Sequence, residues 1–342
     1  MTEGKAPVAR TNLSRSTGAI QVSGTEDLGG GMTAGFRVEE LIQGGQTTAG
    51  RAALGAGTTV GNFGSRQSFL TLGSKTMGTI KLGRDLDANA QMIGMGNVSG
   101  ANAWVGLDGS NDNAVFFGNV RTMAASYTAP TMAGFTVGFG ITPADYSTLG
   151  IRAGSSAPTA NAFCVVGATD SIADAATSCS TLSIVGTQTN PTASSFRTDN
   201  ASALAITYAN GPLNAGLVRT NGQGSANTTY MTYAANYDMG FAKVGGLYQS
   251  VEGVAKITRK ASLVSINAPI GAWALQAAYG SSDGGSTATS FSKEVKHALV
   301  GAQYNLSKRT SWYVISSDKK VAGATASDFD HKEMGFGIKH AF

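Results

Sequence analysis

The side chains with the greatest capacity for chemistry in this sequence are its three histidines and two cysteines. His297, His331 and His340 show no HExxH pattern and no paired spacing of zinc ligands, so no metal site is expected. Cys164 and Cys179 match no CxxC metal or redox motif. A P-loop is also absent. These patterns predict a protein that is not an enzyme and that uses no cofactor.

Cys164 and Cys179 lie in a stretch rich in Ser, Ala, Thr and Gly. In an oxidising cell envelope they are predicted to close a small loop as a disulfide. Two free thiols are the alternative.

The composition separates this chain from both soluble and helical membrane proteins. Charged residues make up 13% of its 342 residues, against roughly 25% in soluble domains. The mean hydropathy is only −0.02, and no run of about 18 apolar residues predicts a membrane helix. Because open sheet edges cannot lie in lipid, a membrane protein without such helices requires a closed barrel.

Apolar residues recur at every second position in many segments. Phe135, Val137, Phe139 and Ile141 alternate with small or polar residues. The same pattern recurs in Leu204–Tyr208, Tyr230–Asp238, Trp273–Tyr279 and Met334–Phe342. This period is typical of transmembrane β-strands with one face in lipid and one in water. We therefore predict an all-β, antiparallel transmembrane β-barrel that forms one domain over residues 1–342.

The predicted connections alternate between short and long. The short ones are Glu26–Gly31, Lys75–Gly78, Ala129–Gly134, Asn210–Leu213, Asp238–Gly240, Asn267–Gly271 and Asn305–Arg309. The long ones are about 42–63, 86–114, 143–196, 221–228, 251–257, 281–293 and 317–330. Periplasmic turns and extracellular loops produce this alternation in a barrel.

The count is about fifteen strands, whereas single-chain bacterial barrels have even numbers. We expect that the first strand is the missing one. The first ten residues, MTEGKAPVAR, contain no signal peptide, which predicts that it was removed or that the sequence begins downstream of the true start.

Alternation also predicts which charges face the interior. With Phe36 outward, Arg37 and Glu39 point into the lumen, and Lys81 does so between Ile80 and Leu82. The net charge of +4 is small and scattered, without the dense basic patch of a nucleic-acid binder. A mild attraction for anions inside a pore is the better interpretation.

Several segments together resemble one family. They are SGTEDLGGGMTAGFRVE (Ser23–Glu39), SRQSFLTLG with GTIKLGRD (Ser65–Asp85), SYTAPTMAGFTVGFG (Ser126–Gly140), YNLSKRTSWY (Tyr304–Tyr313) and GFGIKHAF (Gly335–Phe342). Their order and combination resemble the Gram-negative general porins of the β-proteobacterial type.

The resemblance implies a homotrimer of sixteen-stranded barrels in the outer membrane that passes small hydrophilic solutes and often favours anions. It implies an inward-folded constriction loop at 86–114 and a long extracellular loop at 143–196. Expected partners are outer-membrane lipids, lipopolysaccharide and, through the C-terminal strand, the barrel assembly machinery. Phe342 is expected in the interfacial aromatic girdle.

The resemblance also points to further pore residues. Arg66 matches an arginine of the family's barrel wall. Arg84 matches the position at the start of the family's third loop. Arg121 lies one residue from the position of another wall arginine. The third loop is only weakly acidic, so an arginine wall facing it predicts a preference for anions. The predicted constriction set is Arg37, Glu39, Arg66, Lys81, Arg84, Asp108, Asp112 and Arg121.

Two other functions remain as alternatives. A barrel enzyme requires a Ser/His/Asp set on one wall, and no such set stands out. A non-conducting surface or adhesion barrel would act through its long loops, above all 143–196. Large, uniform conductance steps in a planar bilayer would discriminate a porin from both.

Overall fold

A computed structural model describes residues 19–41, 66–86, 88–99, 121–143, 200–223, 228–252, 258–283, 293–323 and 329–341. They form one antiparallel sheet of fifteen strands, each paired with the next along the chain. The strands are β1 (Ala19–Gly29), β2 (Met32–Leu41), β3 (Gln67–Ser74), β4 (Gly78–Leu86), β5 (Arg121–Thr128), β6 (Phe135–Thr142), β7 (Ala201–Asn210), β8 (Leu213–Gln223), β9 (Thr228–Asp238), β10 (Lys243–Glu252), β11 (Thr258–Ile270), β12 (Trp273–Ser282), β13 (Lys293–Asn305), β14 (Thr310–Gly323) and β15 (Phe329–His340). A short helix, α1 (Ala88–Gly96), follows β4. The predicted all-β fold with about fifteen antiparallel strands is confirmed.

Within these described ranges, no helix has the length and apolar character needed to cross a membrane.

Large apolar side chains lie on one face of the sheet, as the period-two pattern predicted. On β6, Phe135, Val137, Phe139 and Ile141 are exposed and alternate with less exposed neighbours such as Thr136. The same face carries Leu70, Leu72, Ile80, Leu82, Val264, Ile266 and Leu275. Moving such a side chain from water into hydrocarbon is favourable by about 1.5–3 kcal/mol. This face is therefore suited to lipid, and the opposite face to water.

Tight turns join the strands at one end of the sheet, which we call the short-turn end. Gly211 and Pro212 connect β7 to β8, and Gly271 and Ala272 connect β11 to β12. Gly271 has a φ of 61°, in the left-handed region that glycine adopts without steric cost. The connections at the opposite end, the long-loop end, lie largely outside the described residues.

Two of the predicted turns begin too early. Glu26 and Asp27 belong to β1, which has a register shift between Asp27 and Gly29. Asn267 and Pro269 belong to β11, and the latter pairs with Ala274 of β12. Asp, Asn and Pro favour turns locally. Here the ladder to the neighbouring strand extends past them, because strand formation depends more on pairing than on local preference.

An aromatic cluster covers the outer face at the short-turn end of β12–β14. Trp273 pairs with Tyr304, which pairs with Trp312. The Trp273 ring centroid lies 4.9 Å from that of Tyr304 and 5.2 Å from that of Trp312, both edge-on. Cross-strand aromatic pairs stabilise a sheet beyond the area they bury. Trp and Tyr at this level suit a membrane–water interface.

The first and last strands run in the same direction, because both are odd-numbered members of an antiparallel meander. A closed, fully antiparallel wall that contains all fifteen has an even number of strands. The expectation of a sixteenth strand stays a prediction.

Candidate pore constriction

Helix α1 lies on the inner face of the sheet, against β8, β9, β10 and β11. Asn89, Met92 and Gly96 form its buried face, at the spacing that brings residues to one side of a helix. Met92 packs in the cluster that includes Val218, Leu247 and Leu263. Gln91 and Gly94 are exposed. Because α1 contains two glycines, each about 1 kcal/mol worse than Ala in a helix, it depends on this packing.

Hydrogen bonds from uncharged groups hold α1 and the residues after it to three strands, β8, β9 and β11. The amide of Asn89 donates to Thr220 Oγ1 and accepts from Thr232 Oγ1, both at 2.7 Å. Asn236 donates to the Met95 carbonyl at 2.9 Å. Ser265 donates to the Gly96 carbonyl at 2.8 Å and accepts from the Val98 backbone N–H at 2.9 Å. The position of the helix is therefore defined along its whole length.

Gly245 of β10 is a point of close contact between the barrel wall and the end of α1. A Cβ at this position would fall far inside van der Waals distance of the Gly96 carbonyl oxygen and 2.9 Å from Val98 Cγ1. On the other face of the same strand, a Cβ at Gly246 would meet only the Leu263 carbonyl oxygen, at 3.6 Å. The close approach of helix and wall thus requires glycine at 245 and not at 246.

We expect Gly245→Ala to displace the end of α1 and Gly246→Ala to leave it in place. The added methyl group and the Gly96 carbonyl cannot occupy the same space, so the helix has to move into the lumen. Single-channel conductance should therefore fall, with a noisier open state, only in Gly245→Ala. Equal conductance in both variants would contradict the described contact between Gly245 and the end of α1.

A charged cluster lies on the inner face of β2 and at the start of β3. Arg37 and Glu39 share this face, and Arg66 immediately precedes β3. Glu39 forms ion pairs with Arg66 and, at 3.7 Å, with Arg37. The Arg66 backbone N–H also donates to the Glu39 carbonyl at 3.1 Å, and Arg37 donates to Gln21 of β1. One carboxylate, only 7% exposed, thus holds two guanidinium groups.

A second cluster lies on β3 and β4, beside the first. Asp85 forms an ion pair with Lys81, four residues earlier, and accepts a hydrogen bond from Gln67. The Lys81 ammonium lies 5.2 Å from the Phe69 ring centroid, within range of a cation–π interaction. Here too a wall carboxylate compensates part of the positive charge.

The structure brings together four of the residues predicted from sequence: Arg37, Glu39, Arg66 and Lys81. It adds Gln21, Gln67 and Asp85, which sequence analysis missed, although Asp85 is in phase with Lys81 on β4 and could have been found by alternation. Arg259, His297 and Lys319 are buried on the inward phase of β11, β13 and β14. They too were missed, although alternation places them there.

The remaining predicted residues are not part of these clusters. Arg84 pairs with Ser68 of β3 and with Met123 of β5. Its position in β4 therefore lies on the same face of the sheet as Leu82, and on the opposite face from Lys81. Arg121 opens β5 and pairs with Leu86. A role in the pore for these two arginines stays a prediction. Asp108, Asp112, Cys164, Cys179 and Phe342, and most of the loops 86–114 and 143–196, lie outside the described residues.

The β2–β4 clusters and helix α1 differ in charge. The clusters on β2–β4 carry three cations and two carboxylates. Helix α1, on strands about seven positions further along the sheet, has the sequence ANAQMIGMG and no charged residue. In a closed wall of about this strand number the two lie on opposite sides. Ions would therefore pass between a charged wall and a neutral helix.

This fold and this site define a class: a membrane β-barrel with an inward-folded helix and charged clusters on its wall. The sequence pattern of the Gram-negative porins matches residues 2–320, and the chain belongs to that family. It is therefore a protein of the Gram-negative outer membrane. Outer membrane porin protein 32 of Delftia acidovorans is 26% identical, over 96% of this chain and 85% of the relative.

Solved structures agree with this assignment. An anion-selective porin from Comamonas acidovorans is 25% identical, with a TM-score of 0.60 over 96% of this chain and 90% of that one. OmpT of Vibrio cholerae, solved in a trimer form, is 13% identical, with a TM-score of 0.53 over 94% of this chain and 89% of that one. The latter likeness shows the fold alone.

Proposed function

We propose that this protein is a general diffusion porin: a water-filled, weakly anion-selective channel for small hydrophilic solutes and ions. The observation that carries the proposal is the excess of cations over carboxylates on the inner face of β2–β4, together with an uncharged α1 on the same face of the sheet at β8–β11. Conduction requires a constriction and a field, and no catalytic group. The proposed function therefore includes no enzymatic step.

The same arrangement accounts for weak rather than strong selectivity. Glu39 and Asp85 compensate two of the three cations of the clusters. An ion in the lumen therefore experiences a small net positive charge together with the dipoles of the ion pairs. The anion selectivity stated for the Comamonas acidovorans porin supports the same sign here.

We further propose a homotrimer in contact with outer-membrane lipids and lipopolysaccharide. OmpT, which shares the fold, is solved in a trimer form, and the proposal extends that assembly to this chain. The outer face of β15, with Phe336 90% and Ile338 75% exposed, requires cover by lipid or protein. A C-terminal strand of this kind also suits recognition by the barrel assembly machinery.

In a planar bilayer with a KCl gradient, we expect uniform conductance steps and a reversal potential of anion-selective sign. The preference should weaken as salt increases, because the Debye length falls from about 10 Å at 0.1 M to about 3 Å at 1 M. A cation-selective sign at low salt would overturn the proposed selectivity. No conductance from a folded trimer would favour the alternative, an adhesion barrel that acts through its loops.

A further inference from the structure

We infer that Asn89 is the positioning residue that fixes α1 against the barrel wall and so sets the shape of the conducting path. This inference rests on the proposed function, because it assumes that ions pass beside α1. Its physical basis is separate: a buried hydrogen-bond chain that starts at one amide of the helix and continues across three strands of the wall.

The chain begins at Asn89, which is 0% exposed. Its Nδ2 donates to Thr220 of β8, and its Oδ1 accepts from Thr232 of β9. Gln249 of β10 then donates to the same Thr232 hydroxyl at 3.2 Å. Thr232 thus uses its hydroxyl both as donor and as acceptor, which fixes the direction of the chain.

Every member of this chain is buried. Thr220 is 1% exposed, and Thr232 and Gln249 are 0% exposed. Buried polar groups are costly unless they are paired, so a shift of α1 that broke these bonds would leave two threonine hydroxyls without this partner. The penalty for displacement therefore rises steeply with distance, which is what a positioning device requires.

Asn89 differs from the rest of the buried helix face in chemistry. Met92 packs by shape alone, and methionine tolerates several arrangements. Gly96 contributes only its backbone, which Ser265 contacts at the end of the helix. Asn89 supplies directional bonds near the start of α1, close to the point where the chain leaves β4. A directional contact at each end allows one position, whereas apolar packing alone would allow the helix to slide.

The test uses single-channel recordings of the full chain with Asn89→Ala and Asn89→Leu. Loss of a buried hydrogen bond corresponds to roughly a tenfold change in the population of a displaced state. We therefore expect about tenfold more time in altered-conductance sublevels in both variants. Thr220→Val and Thr232→Val, which act from the wall side, should show the same sublevels. Asn210→Ala, which removes an exposed amide at a short turn with one bond to Tyr208, is the matched control.

A triple variant, Asn89→Leu with Thr220→Val and Thr232→Val, separates positioning from simple stability. Replacing Asn89 and both of its threonine partners by apolar groups removes the unsatisfied hydroxyls, so heat resistance of the folded trimer should return partly towards wild type, with the amide of Gln249 still lacking its Thr232 acceptor. The sublevels should persist, because no directional bond is restored. A quiet Asn89→Leu channel, or sublevels that disappear in the triple variant, would overturn the inference. A silent wild-type channel would instead overturn the proposed function.

Discussion

Glu39→Gln is expected to make the pore several times more anion-selective. In the described structure Glu39 lies between Arg37 and Arg66 and forms ion pairs with both. Glutamine keeps the size and one acceptor oxygen but removes the charge. The β2–β4 clusters would then carry three cations against one carboxylate, and both arginines would lose their charged partner, while Arg37 keeps its hydrogen bond to Gln21.

The size of this effect follows from Coulomb's law. A unit charge about 6 Å from a permeating ion contributes about 0.7 kcal/mol in water-like surroundings, which corresponds to roughly a threefold change in relative permeability. The measurement is the reversal potential in a KCl gradient at about 0.1 M, where screening between wall and ion is incomplete. Asp85→Asn should act in the same direction through Lys81.

The adjacent Glu40 offers a matched control. It pairs with Ile20 of β1 and lies on the opposite, lipid-facing side of the sheet. Glu40→Gln changes the net charge of the protein by the same amount, one residue away, without removing a charge from the lumen. We expect the reversal potential of Glu40→Gln to equal that of the wild type. If both variants shift it equally, the selectivity depends on overall charge and not on the Glu39 cluster.

The sequence predicted the wall better than it predicted the constriction, because the wall depends on the pattern within each strand and the constriction depends on contacts between strands. The outward positions of Phe135, Val137 and Phe139 depend only on alternation within one strand, and they are confirmed. The inward positions of Arg37 and Glu39 follow from the same rule. The ion pair of Glu39 with Arg66, at the start of β3, depends on the β2–β3 register, which the intervening segment does not reveal.

Arg84 illustrates where local pattern and resemblance diverge. The LGRD motif suggested a pore arginine, whereas the ladder places Arg84 in phase with Leu82. Gly83 between them has a φ of 131°, a conformation that residues with a Cβ rarely adopt. An irregularity of this kind at the end of β4 is difficult to predict from residue types alone.

Asn89 had no signal in the sequence at all. A single Asn among Ala, Met and Gly matches no motif, and asparagine is more common at helix caps and turns than on a buried helix face. Its role depends on Thr220 and Thr232, more than a hundred residues away. Contacts of such sequence separation are defined only when the barrel brings its wall around the inserted helix.

Charge placed at Gly94 is expected to shift selectivity in either direction from the neutral side of the lumen. Gly94 is exposed on α1, and a Cβ built there has no atom within 4 Å. A side chain at this position therefore extends into open space on the inner side of the sheet. Most residues favour a helix more than glycine does, by up to about 1 kcal/mol, so these substitutions should not destabilise α1.

We expect Gly94→Asp to shift the reversal potential towards cations and Gly94→Lys to shift it towards anions, each by roughly threefold in permeability ratio. Gly94→Asn is close to Asp in size and has no charge, so it isolates the steric effect. All three should lower conductance, because each fills part of the lumen, but Asn should leave selectivity unchanged.

The two charged variants test the geometry as a pair. Opposite shifts in Asp and Lys place the exposed side of α1 on the ion path, facing the β2–β4 clusters. Shifts in the same direction, or none in either variant, would mean that ions pass elsewhere and that the neutral helix does not border the constriction. The Glu39→Gln result would be unaffected by that failure, because it depends on the wall alone. The two experiments therefore locate the opposite sides of the channel independently.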